Sequence, residues 1–167
     1  MNLTMSFLNQ LKMLADLIIL SLACFLLIYY SCYSCYSCEY KLIFYLLIPY
    51  FLMFFFPVAF LHFNYLNVNK GVNYEINKNV ILKKRKTEII KYTNENIEEI
   101  RLCINGSKDT GNGTLAFSRY YYAKIKLLDG SCFVITSLYS SKIDKILEEN
   151  FKDIKIITEK VFYPTIK

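Results

Sequence analysis

Hydrophobic residues gather toward the start of the chain, and residues 42–61, LIFYLLIPYFLMFFFPVAFL, form an apolar run of twenty residues without a single charge. At about 1.5 Å of rise per residue, a helix of this length crosses the roughly 30 Å hydrocarbon core of a bilayer. The pattern therefore predicts a transmembrane helix here. Pro49 and Pro57 lie within it, and we expect them to bend it because proline removes backbone hydrogen bonds.

A second apolar run, residues 13–30, precedes the first and is nearly long enough to span a bilayer. Its Asp16 lies close enough to one end to reach the headgroups. We expect an uncleaved helix, because no small-x-small cleavage site is clear and a longer apolar segment follows; a cleaved signal peptide is the alternative. The connection over residues 31–41 suits a tight turn, so residues 1–66 are predicted to form a membrane hairpin.

Beyond residue 66 charged residues recur every few positions, and the hydrophobic period approaches two, which is typical of strands. Short strands are predicted at 80–82 and 88–92 with a turn at 83–86, and further strands at 154–158 and 161–163. The glycine-rich stretch 105–114 is predicted to be a loop. Residues 67–167 are thus expected to form a second, β-rich domain.

The clearest local structure in this domain is a β-hairpin around Asp129-Gly130. This pair favours a two-residue type I′ turn, in which both central residues have positive φ. In the resulting register Leu127 faces Cys132 and Ile125 faces Val134.

One amphipathic helix is predicted near the end of the chain. Ile143, Ile146, Leu147 and Phe151 recur at helical spacing, and Ser140 or Ser141 is a candidate N-cap. The fold class that follows is an α-helical transmembrane hairpin and a small α+β domain. That domain is mainly β and antiparallel, an open sheet or partial barrel with one helix.

Charge is distributed unevenly between these two parts. The chain carries a net charge of +6, and the charged residues of the first 66 positions cancel, so the excess lies in the second part. Only Glu39 and Lys41 are charged in the connection between the helices, whereas many lysines follow the second helix. The positive-inside rule then predicts an integral protein of the inner or plasma membrane with both termini in the cytoplasm.

The sharpest candidate site is a run of four adjacent cations, Lys83, Lys84, Arg85 and Lys86. Near an anionic leaflet each could gain about 1 kcal/mol, so the run is a candidate contact for lipid headgroups. A solvated turn that keeps the domain soluble is the alternative. A nucleic-acid partner is not expected, because no basic helix or nucleic-acid-binding motif accompanies the charges.

Three copies of Tyr-Ser-Cys place Cys32, Cys35 and Cys38 between the two helices. A zinc or iron–sulfur site would need a fourth ligand, and His62 lies at the opposite end of the second helix, so no metal is predicted. Outside the cell these cysteines could form an intermolecular disulfide, and with inverted topology they would be candidates for acylation. The simplest interpretation is an interfacial loop of small residues.

The order of these elements, with the segments YEINKNVILKK and AKIKLLDGSCFVITSL, resembles bacterial PH-like domains attached to membrane hairpins. The resemblance covers residues 72–151, and the chain continues beyond the helix with which such a domain usually ends. It implies a PH-like sheet or partial barrel that binds lipids, peptides or proteins without catalysing a reaction.

No catalytic or cofactor-binding residues are predicted. The sequence contains no glycine-rich phosphate loop, no H-E-x-x-H and no G-x-S-x-G. We expect a non-enzymatic, membrane-anchored binding or scaffold module that contacts anionic lipid, a protein partner or a second copy of itself. An accessory subunit of a larger membrane assembly is the alternative.

Overall fold

A computed structural model describes residues 1–34, 40–106 and 116–166. The helices are α1 (Phe7–Ser34), α2 (Tyr40–Tyr50), α3 (Phe56–Asn69) and α4 (Ile143–Asn150). The strands are β1 (Asn2–Leu3), β2 (Val72–Asn77), β3 (Val80–Arg85), β4 (Glu88–Thr93), β5 (Ile97–Asn105), β6 (Tyr122–Leu127), β7 (Cys132–Thr136) and β8 (Lys155–Val161).

Two long apolar helical segments, as predicted, form the first part of the chain. The stretches Phe7–Tyr33 and Ile43–Asn69 have mean hydropathies of 2.4 and 2.2, and only 11% and 12% of their most apolar windows are buried. The second stretch is interrupted by a π-helical turn, Phe51–Phe55, in which the Phe56 N–H donates to the Phe51 carbonyl. Pro57 lies at the start of α3 and cannot donate a hydrogen bond, so the irregular turn absorbs the loss.

The β-rich part consists of two four-stranded sheets, in the orders β1-β2-β3-β4 and β7-β6-β5-β8. Among the described residues every strand pairing is antiparallel except that of β5 with β8. The main core lies between the sheets and is closed by α4, whose Ile143, Ile146, Leu147 and the following Phe151 are all buried. The predicted antiparallel α+β domain and its amphipathic helix are confirmed.

The first strand of this domain comes before the helices. Asn2 and Leu3 pair with Glu75 and Tyr74 of β2, and Leu3 is buried in the main core. The hairpin is therefore inserted between two neighbouring strands of one sheet. The predicted division at residue 66 does not include this contribution of residues 2–3.

Because α3 leads directly into β2, one end of the domain adjoins the helices; we call it the hairpin end, and the opposite one the far end. The antiparallel order of β2, β3 and β4 places the turn after β3 at the hairpin end and the turn after β2 at the far end. The turn after β6 also lies at the far end. Residues 116–120 pack on the hairpin in a second apolar cluster that includes Met13, Leu61 and Leu138.

The predicted register of the β6–β7 hairpin is wrong by one residue, since Ile125 faces Phe133 and Lys126 faces Cys132. Only Gly130 has positive φ in this turn. Asp129 instead accepts hydrogen bonds from the Ser131 N–H and hydroxyl. The loop is therefore one residue longer than a type I′ turn, and this longer loop shifts the pairing.

Three predicted element bounds also differ. The strand β3 continues through Arg85, so that the turn is confined to residues 86–87. The end of the chain forms one strand, β8, instead of two. The predicted serine cap of α4 is also wrong: the N-cap residue is Lys142, no side chain caps the helix, and the Ser140 hydroxyl accepts a hydrogen bond from the Lys142 N–H.

Candidate functional site

A surface cavity of about 490 Å³ lies at the hairpin end, where the chain passes between the helices and the sheet. Its lining residues are Thr4, Met5, Gly71, Val72, Asn73, Lys84 and Lys86. Thr4 and Met5 connect β1 to α1, and Gly71 connects α3 to β2. The cavity thus lies beside both chain connections into the hairpin.

Strand pairing positions Lys84 at this cavity. It lies opposite Asn73 of β2 and Ile89 of β4, on the outer face of the sheet, away from the buried Ile81. Its ammonium donates a 2.7 Å hydrogen bond to the carboxylate of Glu75 on β2. That bond, with a second from the Asn77 amide, lowers the pKa of Glu75.

Backbone geometry positions Lys86 at the same cavity. Lys86 has a φ of 51°, which is uncommon for a residue with a side chain. Gly71, on the neighbouring connection, has a φ of 71° at no steric cost. The tight turn after β3 therefore places a lysine close to the start of β2.

The other two cations of the predicted cluster do not line this cavity. Lys83 lies on the inner face of the sheet, with its ammonium 5.5 Å from the centre of the Phe133 ring. Alternation along β3 places Arg85 on the same inner face, opposite Val72 and Glu88. The run of four therefore divides into two pairs with different surroundings.

The cavity offers hydrogen-bond donors suited to an anion. Four of its lining residues, Thr4, Asn73, Lys84 and Lys86, have side chains that can donate hydrogen bonds. Glu75 holds one of the ammonium groups and would compete with an incoming anion. Among the described residues there is no group of His, Cys, Asp or Glu that could hold a metal ion.

A second polar contact joins the hairpin to the domain. The Arg119 guanidinium forms a 2.6 Å ion pair with Asp16 of α1 and donates a 2.9 Å hydrogen bond to the Lys12 carbonyl. The Tyr120 hydroxyl and His62 Nδ1 of α3 are 3.0 Å apart. The sequence predicts only that Asp16 reaches the headgroups, and nothing in it indicates that Arg119 is its partner.

The repeated cysteines lie only partly within the described residues. Cys32 is disulfide-bonded, whereas Cys35 and Cys38 lie outside the described residues. Free thiols among the described residues are those of Cys24, Cys103 and Cys132. The intermolecular disulfide and the acylation remain predictions.

A family model described as a PH domain matches residues 3–143. The chain belongs to the PH domain family. The match begins in β1, runs through the inserted hairpin and ends at the first residue of α4. No curated protein and no solved structure matches the chain.

Membership of the PH domain family supports a binding or scaffold role, since PH domains commonly bind lipids or proteins. Strand β8 and the last residues of this PH domain lie beyond the family match. They form the edge of the second sheet and pack against the hairpin.

Proposed function

We propose that this PH domain is a membrane-anchored, non-enzymatic binding module whose hairpin-end cavity contacts anionic lipid headgroups at the cytoplasmic face. The observation that carries this proposal is the position of Lys84 and Lys86 beside the two connections into the hairpin. If the hairpin spans the bilayer, these lysines are at the level of the nearer leaflet. A phosphate there would meet two lysines that line the same cavity.

Insertion of the hairpin is supported by its exposed apolar surface. Phe25, Leu26 and Leu27 of α1 and Leu52 and Met53 of the π-helical turn are each more than three-fifths exposed. An apolar patch of this extent is rare on a soluble monomer and is expected of a helix that faces lipid. The pairing of β1 with β2 supports placement of both ends of the hairpin on one side.

Lipid binding is tested with the full chain purified in a neutral detergent. Short-chain phosphatidylglycerol is expected to raise the midpoint of thermal unfolding, because a ligand that binds only the folded state stabilises it. The rise should shrink as salt is increased from low to physiological concentration. An equal rise with short-chain phosphatidylcholine would contradict a headgroup site.

Topology is tested with Cys132, an exposed free thiol at the far end of the domain. In a variant with Ser at positions 32, 35 and 38, a membrane-impermeant maleimide should label Cys132 only after the cells are permeabilised. Labelling in intact cells would place the domain outside and overturn the cytoplasmic assignment.

A second candidate function, contact with a protein partner in a larger membrane assembly, is favoured by one observation. Strand β4 ends the order of its sheet, and its Ile89 and Ile90 side chains are 64% and 44% exposed. Such an edge can pair with another chain. Ile89→Lys should then remove the partner from the purified complex on native electrophoresis, whereas a monomer before and after the change would exclude this function.

A further inference from the structure

An apolar groove of about 460 Å³ runs along the hairpin. It shares no lining residue with the cavity that Lys84 and Lys86 line. One wall consists of Leu52 and Met53 in the π-helical turn, with Phe56 and Phe60 in α3. The other wall comes from the soluble domain, through Phe117 and Phe162. The groove is therefore built jointly by the two parts of the chain.

Hydrogen bonds fix the wall that the domain contributes. The Tyr163 hydroxyl donates to the carbonyl of Pro57. The Asn64 side chain of α3 both donates to the Ile166 carbonyl and accepts from the Ile166 N–H, each at 3.1 Å. The Phe117 ring lies 5.9 Å from that of Phe162 and 5.3 Å from that of Tyr163. The groove is thus preformed and does not depend on a ligand to shape it.

The chemistry of the lining selects a hydrocarbon. Of the described lining residues only Tyr163 has a polar side-chain group, and its hydroxyl already donates to Pro57. A peptide in the groove would bury backbone groups without partners, at a cost of about 1–3 kcal/mol each. A free fatty acid would lack a cation for its carboxylate among the same residues.

The position of the groove selects the source of that hydrocarbon. Leu52 to Phe60 all belong to the apolar stretch Ile43–Asn69. Eight steps along a helix cover about 12 Å, which is close to the roughly 15 Å of one leaflet of the hydrocarbon core. The groove therefore runs for most of one leaflet, and the domain forms one of its two walls.

We propose that this groove binds one acyl chain of a phospholipid from the leaflet next to the soluble domain. The proposal rests on the membrane insertion proposed above. The domain would then hold one lipid beside the hairpin, because Phe117 and Phe162 contact the acyl chain on the side that faces away from the helices.

The test uses the full chain in nanodiscs that contain phosphatidylglycerol with a photoreactive diazirine on one acyl chain. After photolysis, peptides are mapped by mass spectrometry. Crosslinks should concentrate severalfold on Phe60, Phe117 and Phe162 relative to Phe25 and Phe63, which are two-thirds exposed on the hairpin outside the groove. Equal yields at all five positions would overturn the proposal.

Two variants keep the result specific. Met53→Trp should fill the groove and reduce these crosslinks severalfold, whereas Leu26→Trp, at a similarly exposed position of α1, should leave them unchanged. A matched diazirine fatty acid that labels the groove as strongly as the phospholipid would overturn the assignment of the chain's source. Release of the protein from membranes by alkaline carbonate would instead disprove membrane insertion. This outcome distinguishes a failure of the insertion proposal from a failure of the groove proposal.

Discussion

The two ends of the β-rich domain carry the same kinds of local structure in different surroundings. Each end of the first sheet has a tight turn with one non-glycine residue of positive φ, Lys86 at the hairpin end and Asn79 at the far end. Each end also has an ion pair, Asp16–Arg119 near the hairpin and Glu98–Lys126 at the far end.

What differs is the neighbour of each feature. The turn at Lys86 borders the connections into the hairpin, whereas the Asn79 N–H donates to the Asn150 carbonyl at the end of α4. Asp16 lies in an apolar helix with its side chain 27% exposed, whereas both side chains of the far-end pair are about two-fifths exposed. Local chemistry alone therefore does not identify a site. The candidate site at the hairpin end differs from the far end by its position beside the hairpin.

The largest expected effect comes from neutralising the cavity. Lys84→Gln with Lys86→Gln should weaken the preference for phosphatidylglycerol over phosphatidylcholine about 30-fold, because each cation near an anionic surface contributes about 1 kcal/mol. The matched control, Lys78→Gln with Lys152→Gln, removes the same charge at the far end and should change little. Lipid exchange into nanodiscs followed by native mass spectrometry measures both. Equal losses in the two double variants would mean that net charge alone matters.

Next in size is the loss of the ion pair at the hairpin. Arg119→Ala should lower the free energy of unfolding by about 1–2 kcal/mol, because it leaves the Asp16 carboxylate in an apolar helix without its partner. Lys126→Ala should cost less than about 0.5 kcal/mol, since exposed pairs contribute little. Chemical unfolding of the full chain in detergent gives both values, and Asp16→Asn added to Arg119→Ala should restore part of the stability. Equal costs at the two ends would contradict the comparison.

Much of the fold could be predicted because it depends on patterns local in sequence. Apolar runs predict the two long helices, and the period of two beyond residue 66 predicts strands, such as the one at 88–92, that the structure confirms. The contribution of β1 could not be predicted, because two residues have no detectable period and their pairing with β2 spans the whole hairpin.

The candidate site was predictable only in part. The run of four cations is visible in the sequence, but alternation along β3 separates Lys84 from Lys83, and this depends on a strand that continues three residues further than predicted. Likewise, nothing local indicates that Glu75 would hold Lys84, or that Thr4 would border the same cavity. These contacts are set by strand register and by the chain path around the hairpin.

The two turns themselves offer the third prediction. Lys86→Gly should raise the free energy of unfolding by up to about 1 kcal/mol, because a left-handed backbone is strained for lysine. The same change should weaken the phosphatidylglycerol preference about fivefold, since one cation is lost. Asn79→Gly should alter neither quantity appreciably, because asparagine tolerates this conformation. Thermal unfolding and lipid exchange measure the two effects; a fall in stability for Lys86→Gly would show that the turn carries no strain.

The smallest expected effect concerns the carboxylate that competes for Lys84. Glu75→Gln should modestly strengthen the phosphatidylglycerol preference at pH 7, because it frees Lys84 from its 2.7 Å ion pair. Since the pKa of Glu75 is lowered in the folded protein, its carboxylate stays charged until the pH falls below the usual range for glutamate, about 4.3. The native chain and the variant should therefore differ at neutral pH and converge only as the pH falls through that lowered pKa. Asp129 at the far end supplies the control, because its pKa is also lowered, in this case by hydrogen bonds from the Ser131 hydroxyl and N–H. The phosphatidylglycerol preference of Asp129→Asn should match that of the native chain at every pH. If Glu75→Gln instead has a weaker preference than the native chain at pH 7, Glu75 orients Lys84 for the headgroup and does not compete with it.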